Sequence, residues 1–286
     1  MNENQQTTYT LDWLQYTCET WAKAQHALKT MADIAPLTDK AHNGKPRAAR
    51  GYNSAIIWSE ARLDWHTIHT RNMYQVTHSG AMLREAQRKG ISLPDLIDIA
   101  LAFSHNVNRV DFAIDIQGNT EVSPIDIYEL FVRGICKTHA KNHRLIVGNE
   151  LNTRTGTTMY IGSRQSTTML RVYDKAAEQD EPGPWVRIEI EVHSPLARNL
   201  LKGMQMNGIV KMGKAEVRRY IETGCPWFDE AAAGDGGELR EPVGRKETDW
   251  LSWVHGTALP AVLRAIEIGD ETTIAAVQLG LFPGLK

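Results

Sequence analysis

The chain has 286 residues, 42% of them hydrophobic, and a formal net charge of −2, enough apolar material for a sizeable core in one large domain or in a main domain with a small appendage. No apolar run approaches the ~20 residues needed to span a bilayer, and the polar start, Met-Asn-Glu-Asn-Gln-Gln-Thr-Thr, lacks the basic and apolar regions of a secretory leader. Three widely spaced cysteines, Cys18, Cys136 and Cys225, argue against a disulfide framework or zinc knuckle and fit a reducing cytoplasm.

In chain order, residues 1–9 are polar. Leu11–Cys18 can begin a strand or a helix, and the continuation through Ala32, built of Ala, Lys, Gln and Leu, is helix-like. Thr38–Gly51 reads as a basic loop. Tyr52–Glu60, Leu63–Ile68 and Met73–Thr77 read as successive antiparallel strands. Ser79-Gly80 opens a helix through Arg88, closed by Gly90, and a second helix runs from Pro94 to about Phe103. A strand over Val107–Gln117 follows, then a helix from Ser123-Pro124 to about Ala140 with Ile127, Leu130, Phe131 and Ile135 as its buried stripe. Strands at Arg144–Asn149 and Thr157–Ile161 lead into a pair of strands joined by a turn, Thr167–Lys175 and Trp185–Val192. Helices through Met206 and over Ile209–Glu222 come next.

The pattern predicts an α+β fold with a mostly antiparallel central sheet, helices packed on one face and two similar halves. Residues 1–228 form the main domain, 229–247 a Gly/Ala/Glu-rich linker and 248–286 a small helical C-terminal unit. Charge is uneven: Arg133 to Lys175 holds eight Lys/Arg against Glu150 and Asp174, while Pro226 to the end holds five against ten Asp/Glu. A basic middle can make a local phosphate-binding surface, although solvated surface gives the same count.

Three strands carry more chemistry than a solvated face needs. Alternation places Arg171, Tyr173 and Lys175 on one face and Leu170 and Val172 on the other. Arg187, Glu189 and Glu191 likewise oppose Val186, Ile188, Ile190 and Val192, and Arg109, Asp111, Ala113 and Asp115 oppose Val110, Phe112, Ile114 and Ile116. If these strands are neighbours, their polar faces form one site. A tyrosine there can stack a base or attack phosphorus. As a nucleophile it needs a cation to favour the phenolate, from Arg171 or Lys175. It also needs the phosphate screened, by Mg²⁺ or Mn²⁺ held among Asp111, Asp115, Glu189 and Glu191. Plain salt-bridge ladders would show the same composition.

Arg109-Val-Asp-Phe-Ala-Ile-Asp115 resembles the Arg-(Ile/Val)-Asp-x-Ala-x-Asp signature of the replication initiation factor (Rep-trans) family, rolling-circle initiators of plasmids and phages and relaxases of conjugative elements. Arg171-Val-Tyr-Asp-Lys-Ala-Ala-Glu178 resembles its Tyr-x-Lys-x-x-Glu motif, and Trp185-Val-Arg-Ile-Glu-Ile-Glu191 its following Trp-x-Arg-x-Glu strand. Tyr160-Ile-Gly-Ser163 and Thr77-His-Ser-Gly80 also sit where the family would place them. The resemblance implies a cytoplasmic DNA nicking–closing enzyme acting on an origin hairpin or single strand, with a host helicase and a second copy of the chain as the expected partners. Tyr173 would be the nucleophile, linked to a 5′ phosphate, with Asp111, Asp115 and Glu189, then Glu191, as metal ligands. Lys175 and Arg171 would steady phosphate or phenolate, Arg187 would orient a carboxylate or phosphate, and Glu178 could fix Lys175.

For DNA binding the candidates are Arg109, Arg164 and the basic loop of Lys45, Arg47 and Arg50, with the helix Lys211–Arg219 as another surface. His66, His69, His105, His143 and His193 read as ordinary histidines, Trp185 as core or sheet edge, and Tyr160 as the second-choice nucleophile. Two other readings compete: a non-catalytic single-stranded nucleic-acid-binding sheet with Tyr160 and Tyr173 stacking bases, and a metal-dependent nuclease that uses water.

Overall fold

A computed structural model of the protein describes residues 6–34, 54–58, 61–65, 74–148 and 156–234. The first half contains β1 (Gln6–Cys18), α1 (Trp21–Ile34), β2 (Ser54–Trp58), β3 (Ala61–Trp65), β4 (Tyr74–Ser79), α2 (Gly80–Arg88) and α3 (Leu93–Phe103). The second contains β5 (Asn106–Gln117), α4 (Pro124–Val132), β6 (Lys137–Thr138), β7 (His143–Ile146), β8 (Thr158–Gly162), β9 (Thr168–Asp174), α5 (Lys175–Gln179) and β10 (Trp185–His193). It then closes with α6 (Leu196–Asn207), α7 (Ile209–Tyr220), β11 (Ile221–Glu222) and α8 (Pro226–Ala231).

Nine strands form one antiparallel sheet in the order β2-β3-β4-β1-β5-β10-β9-β8-β7, and β11 pairs with β6 separately. The order bears out two similar halves. In each, a long strand leads through a helix to a meander whose last strand returns to pair with the first: β4 on β1, and β10 on β5. The halves join where β1 meets β5. Alternation puts Val110, Phe112, Ile114, Leu170, Val172, Ile188 and Ile190 into one core, to which α3, α4, α6 and α7 add Leu96, Ile127, Leu200 and Val217.

Local signals fix most ends. Ser92 and Ser123 each make a capping box, with Asp95 and Asp126, before a proline in the first turn of α3 and α4. The expected helix to Ala140 is corrected: α4 stops at Val132 because Gly134 takes φ +69, a left-handed conformation that ends helices, and β6 follows. Ile135 is accordingly 40% exposed rather than part of the buried stripe.

Two compact units divide the chain, residues 1–237 and 238–286. Their boundary falls inside the segment read as a linker, whose first residues, 229–231, complete α8. The C-terminal unit lies outside the described residues, as do the basic loop and His66 and His69. Among the described residues no helix is long and apolar enough to cross a membrane, and all three cysteines are free thiols.

Candidate active site

β5, β10 and β9 are consecutive neighbours, so the three polar patterns share one face. Arg187 stands between Asp115 on β5 and Tyr173 on β9; Glu189 stands between Ala113 and Arg171; Glu191 is opposite Asp111. Lys175 departs from the strand pattern. Asp174 caps α5 by accepting from the Ala177 amide at 3.0 Å, and Lys175 becomes the first helical residue. Its Nζ nevertheless lies 5.6 Å from the Tyr173 ring centroid and pairs with Glu178.

The Tyr173 hydroxyl donates to Glu189 Oε2 at 2.9 Å, and Arg171 Nη2 donates to Glu189 Oε1. Burial, then the charge on Glu189, pushes the Tyr173 phenol far above its ordinary range, with Arg187 opposing. The resting side chain is therefore a neutral phenol. Arg187 holds Asp115 through two bonds, Nε at 2.7 Å and Nη2 at 2.8 Å, and Trp185 Nε1 donates to the same carboxylate at 2.6 Å. Trp185, the half-buried first residue of the interior strand β10, thus has its indole nitrogen used.

Arg109 closes the other end. Its Nε donates to Asp111 at 2.8 Å, Nη2 lies 2.7 Å from Glu191, and its guanidinium stacks 5.0 Å from the Trp13 ring centroid. Burial foremost raises the Asp111 carboxyl well above its usual pKa, with Arg109 opposing and the charges of Glu189 and Glu191 adding. Glu191 behaves oppositely: burial alone would raise it, but His193, whose Nε2 is 2.6 Å away, and Arg109 hold it below the usual value.

These contacts bear on the expected metal set. Among the described residues no three His, Cys, Asp or Glu side chains are grouped so as to hold an ion. Each of the four acids is engaged by an arginine: Asp111 and Glu191 by Arg109, Glu189 by Arg171, Asp115 by Arg187. Asp115, held by three donors, is committed to its anchor. Asp111 and Glu191, opposite each other and both held by the single Arg109 guanidinium, keep the hard-oxygen chemistry that suits Mg²⁺ or Mn²⁺.

Five contributors had no site role by sequence: Asp12, Trp13 and Arg84, together with Gly80, read as a helix start, and His193, read as an ordinary histidine. Asp12 has no partner on β5, because the register jumps from Leu11–Phe112 to Trp13–Asp111. That bulge brings its Oδ1 to 2.9 Å from Arg187 Nη1, an ion contact without hydrogen-bond geometry, and to 3.1 Å from Arg84 Nη1. Gly80 makes room: a Cβ there would strike the Asp12 carboxylate and stand 2.9 Å from its carbonyl oxygen. His193 and Trp13 are the others, and cross-strand partners are their only signal. Of the expected DNA-binding residues, Arg109 is tied to Asp111 and Glu191, Arg164 is exposed in the turn before β9, and Lys45, Arg47 and Arg50 lie outside the described residues.

Fold and site together define an α+β protein whose open antiparallel sheet carries a tyrosine in a buried field of arginines and carboxylates. Residues 105–221, which contain all three strand motifs, match the replication initiation factor (Rep_trans) family, bearing out the resemblance read from those motifs. A rolling circle replication initiator protein from Geobacillus stearothermophilus has a similar structure: TM-score 0.61 over 88% of this chain and 96% of that one, at 15% identity, a likeness of fold. No curated protein matches the sequence.

Proposed function

We propose that this chain nicks and rejoins DNA to start rolling-circle replication or mobilisation, with Tyr173 as the nucleophile. The observation that carries the reading is the Tyr173 hydroxyl donating to Glu189 at 2.9 Å on a sheet face shared with Arg171 and Arg187. The family match over the strands that build the site supports it.

In this reading Tyr173 Oη attacks the scissile phosphorus and its proton passes to Glu189. The Oη–P bond forms, the P–O3′ bond breaks, and the leaving oxygen takes a proton from water. The products are a 5′-phosphotyrosine and a free 3′ hydroxyl. One phosphodiester replaces another, so reversal joins strands without ATP. A phenol with a raised pKa must lose its proton during the attack, which is why an adjacent acceptor matters. Arg171 and Lys175 balance charge on the pentacoordinate phosphorus, and Arg187, anchored by Asp115 and Asp12, holds a positive charge directly across from Tyr173.

Mg²⁺ or Mn²⁺ would sit on Asp111 and Glu191 once Arg109 gives way, since such ions commonly take one or two carboxylates with waters and substrate phosphate. When bound, the ion would screen the phosphate as a Lewis acid.

The test is incubation with end-labelled single-stranded DNA and Mn²⁺, followed by denaturing electrophoresis. A protein–DNA adduct absent in Tyr173→Phe is expected. Hydrolysed DNA without an adduct would favour a water-using nuclease, and binding without cleavage a stacking platform; either result contradicts the proposal.

A further inference from the structure

Beyond Tyr173 the polar face continues into a cleft of about 380 Å³, walled by Thr158 and Tyr160 of β8, Arg171 and Tyr173 of β9, and Ala177 and Glu178 of α5. Tyr160 is half-buried there. Register sets it between Arg144 on β7 and Arg171 on β9, and the Arg144 guanidinium lies 5.3 Å from its ring centroid. Arg171 gives Nη2 to Glu189, yet its Nε is buried with no hydrogen-bond partner among the described residues. A buried N–H without an acceptor is costly, and one in a cleft wall is suited to an incoming anion.

An aromatic side chain flanked in register by two arginines suits an unpaired strand, whose base stacks on the ring while the arginines meet phosphates. The cleft volume falls at the small-ligand end of binding sites, which suits one nucleotide and not a duplex. The floor of the cleft is continuous with Tyr173, so a nucleotide there is adjacent to any phosphodiester presented to that hydroxyl.

We propose that this cleft seats one unpaired nucleotide beside the phosphodiester at Tyr173, with its base stacked on Tyr160 and its phosphate reached by Arg171 Nε and Arg144. This rests on the nicking reading of the same site and adds the residue that grips the strand. Tyr160, the second-choice nucleophile by sequence, becomes the base platform.

Two short fluorescent single-stranded probes test it by anisotropy, one of mixed sequence and one with every base removed. The wild-type protein is expected to prefer the probe with bases. Tyr160→Ala should weaken that probe about tenfold to a hundredfold and leave the abasic probe unchanged, which also shows that the variant is folded. Tyr160→Phe should bind like wild type, because the ring and not the hydroxyl does the work. The proposal is overturned if wild type does not distinguish the probes, if Tyr160→Ala weakens neither or both equally, or if Tyr160→Phe loses as much as Tyr160→Ala. Adduct formation by wild-type protein tests the nicking reading separately: an adduct with any of these binding results sinks the cleft assignment alone.

Discussion

Tyr173 and Glu189 meet on a diagonal. In register Tyr173 faces Arg187 and Glu189 faces Arg171, yet the hydroxyl crosses to Glu189 Oε2 at 2.9 Å. Each acid–phenol partner therefore has an arginine directly opposite it, and the diagonal leaves a proton donor beside a proton acceptor.

That geometry makes Glu189→Gln informative. The amide can still accept the phenol's hydrogen bond but is a poor proton acceptor. Single-turnover adduct formation should fall about 10²- to 10⁴-fold, with much smaller loss of DNA affinity. An unchanged rate would remove Glu189 from proton transfer.

Ion pairs of equal formal charge should differ sharply in worth. Arg187 is 3% exposed and holds Asp115 and Asp12, so Arg187→Leu leaves the buried Asp115 carboxylate without its guanidinium, with the Trp185 indole as its remaining donor, and should cost about 3–5 kcal/mol in urea unfolding. Arg88→Ala, which breaks a pair on the surface of α2, should stay within about 1 kcal/mol.

Gly80→Ala pits helix propensity against space. Alanine gains up to about 1 kcal/mol over glycine within a helix. The new methyl must displace both the carboxylate and the backbone oxygen of Asp12, and overpacking of that kind costs about 1–3 kcal/mol. The net expectation is a lower melting temperature, together with slower adduct formation because Arg187 loses its second support.

His78 gives the pH dependence. It is fully buried against Tyr16, whose hydroxyl lies 3.2 Å from Nε2, and burial lowers its pKa from 6.5 to about 4. The folded protein keeps it neutral, and the unfolded chain takes up the proton first. Its contribution is therefore present above pH ~6.5 and lost as pH falls toward ~4, by roughly 3 kcal/mol in total. His78→Gln should flatten that part of the stability–pH curve relative to wild type.

Much of this was legible in residue order. Alternation identified the strands and both of their faces, because one face had to be continuous with a core; Tyr173, Arg171, Glu189 and the acids of β5 follow from that. What alternation cannot carry is which partner each charge meets. The arginines proved to be committed one by one to the acids expected to hold metal, a matter of cross-strand register. Asp12 was invisible because a bulge breaks the period that would have marked it. Arg144 and Tyr160 meet through the register of β7 on β8, which alternation within either strand does not carry. The overlong reading of α4 came from extending an apolar stripe through Gly134, whose conformation ends the helix.

A covalent bond between Tyr173 and DNA separates nicking and rejoining from hydrolysis and from binding alone. Protein incubated with single-stranded DNA and Mn²⁺ can be digested with nuclease and protease and its peptides mapped by mass spectrometry. A residual nucleotide is expected on the peptide that contains Tyr173, attached through a 5′ phosphate. A nucleotide on the Tyr160 peptide instead, or cleaved DNA with every tyrosine peptide unmodified, would contradict it.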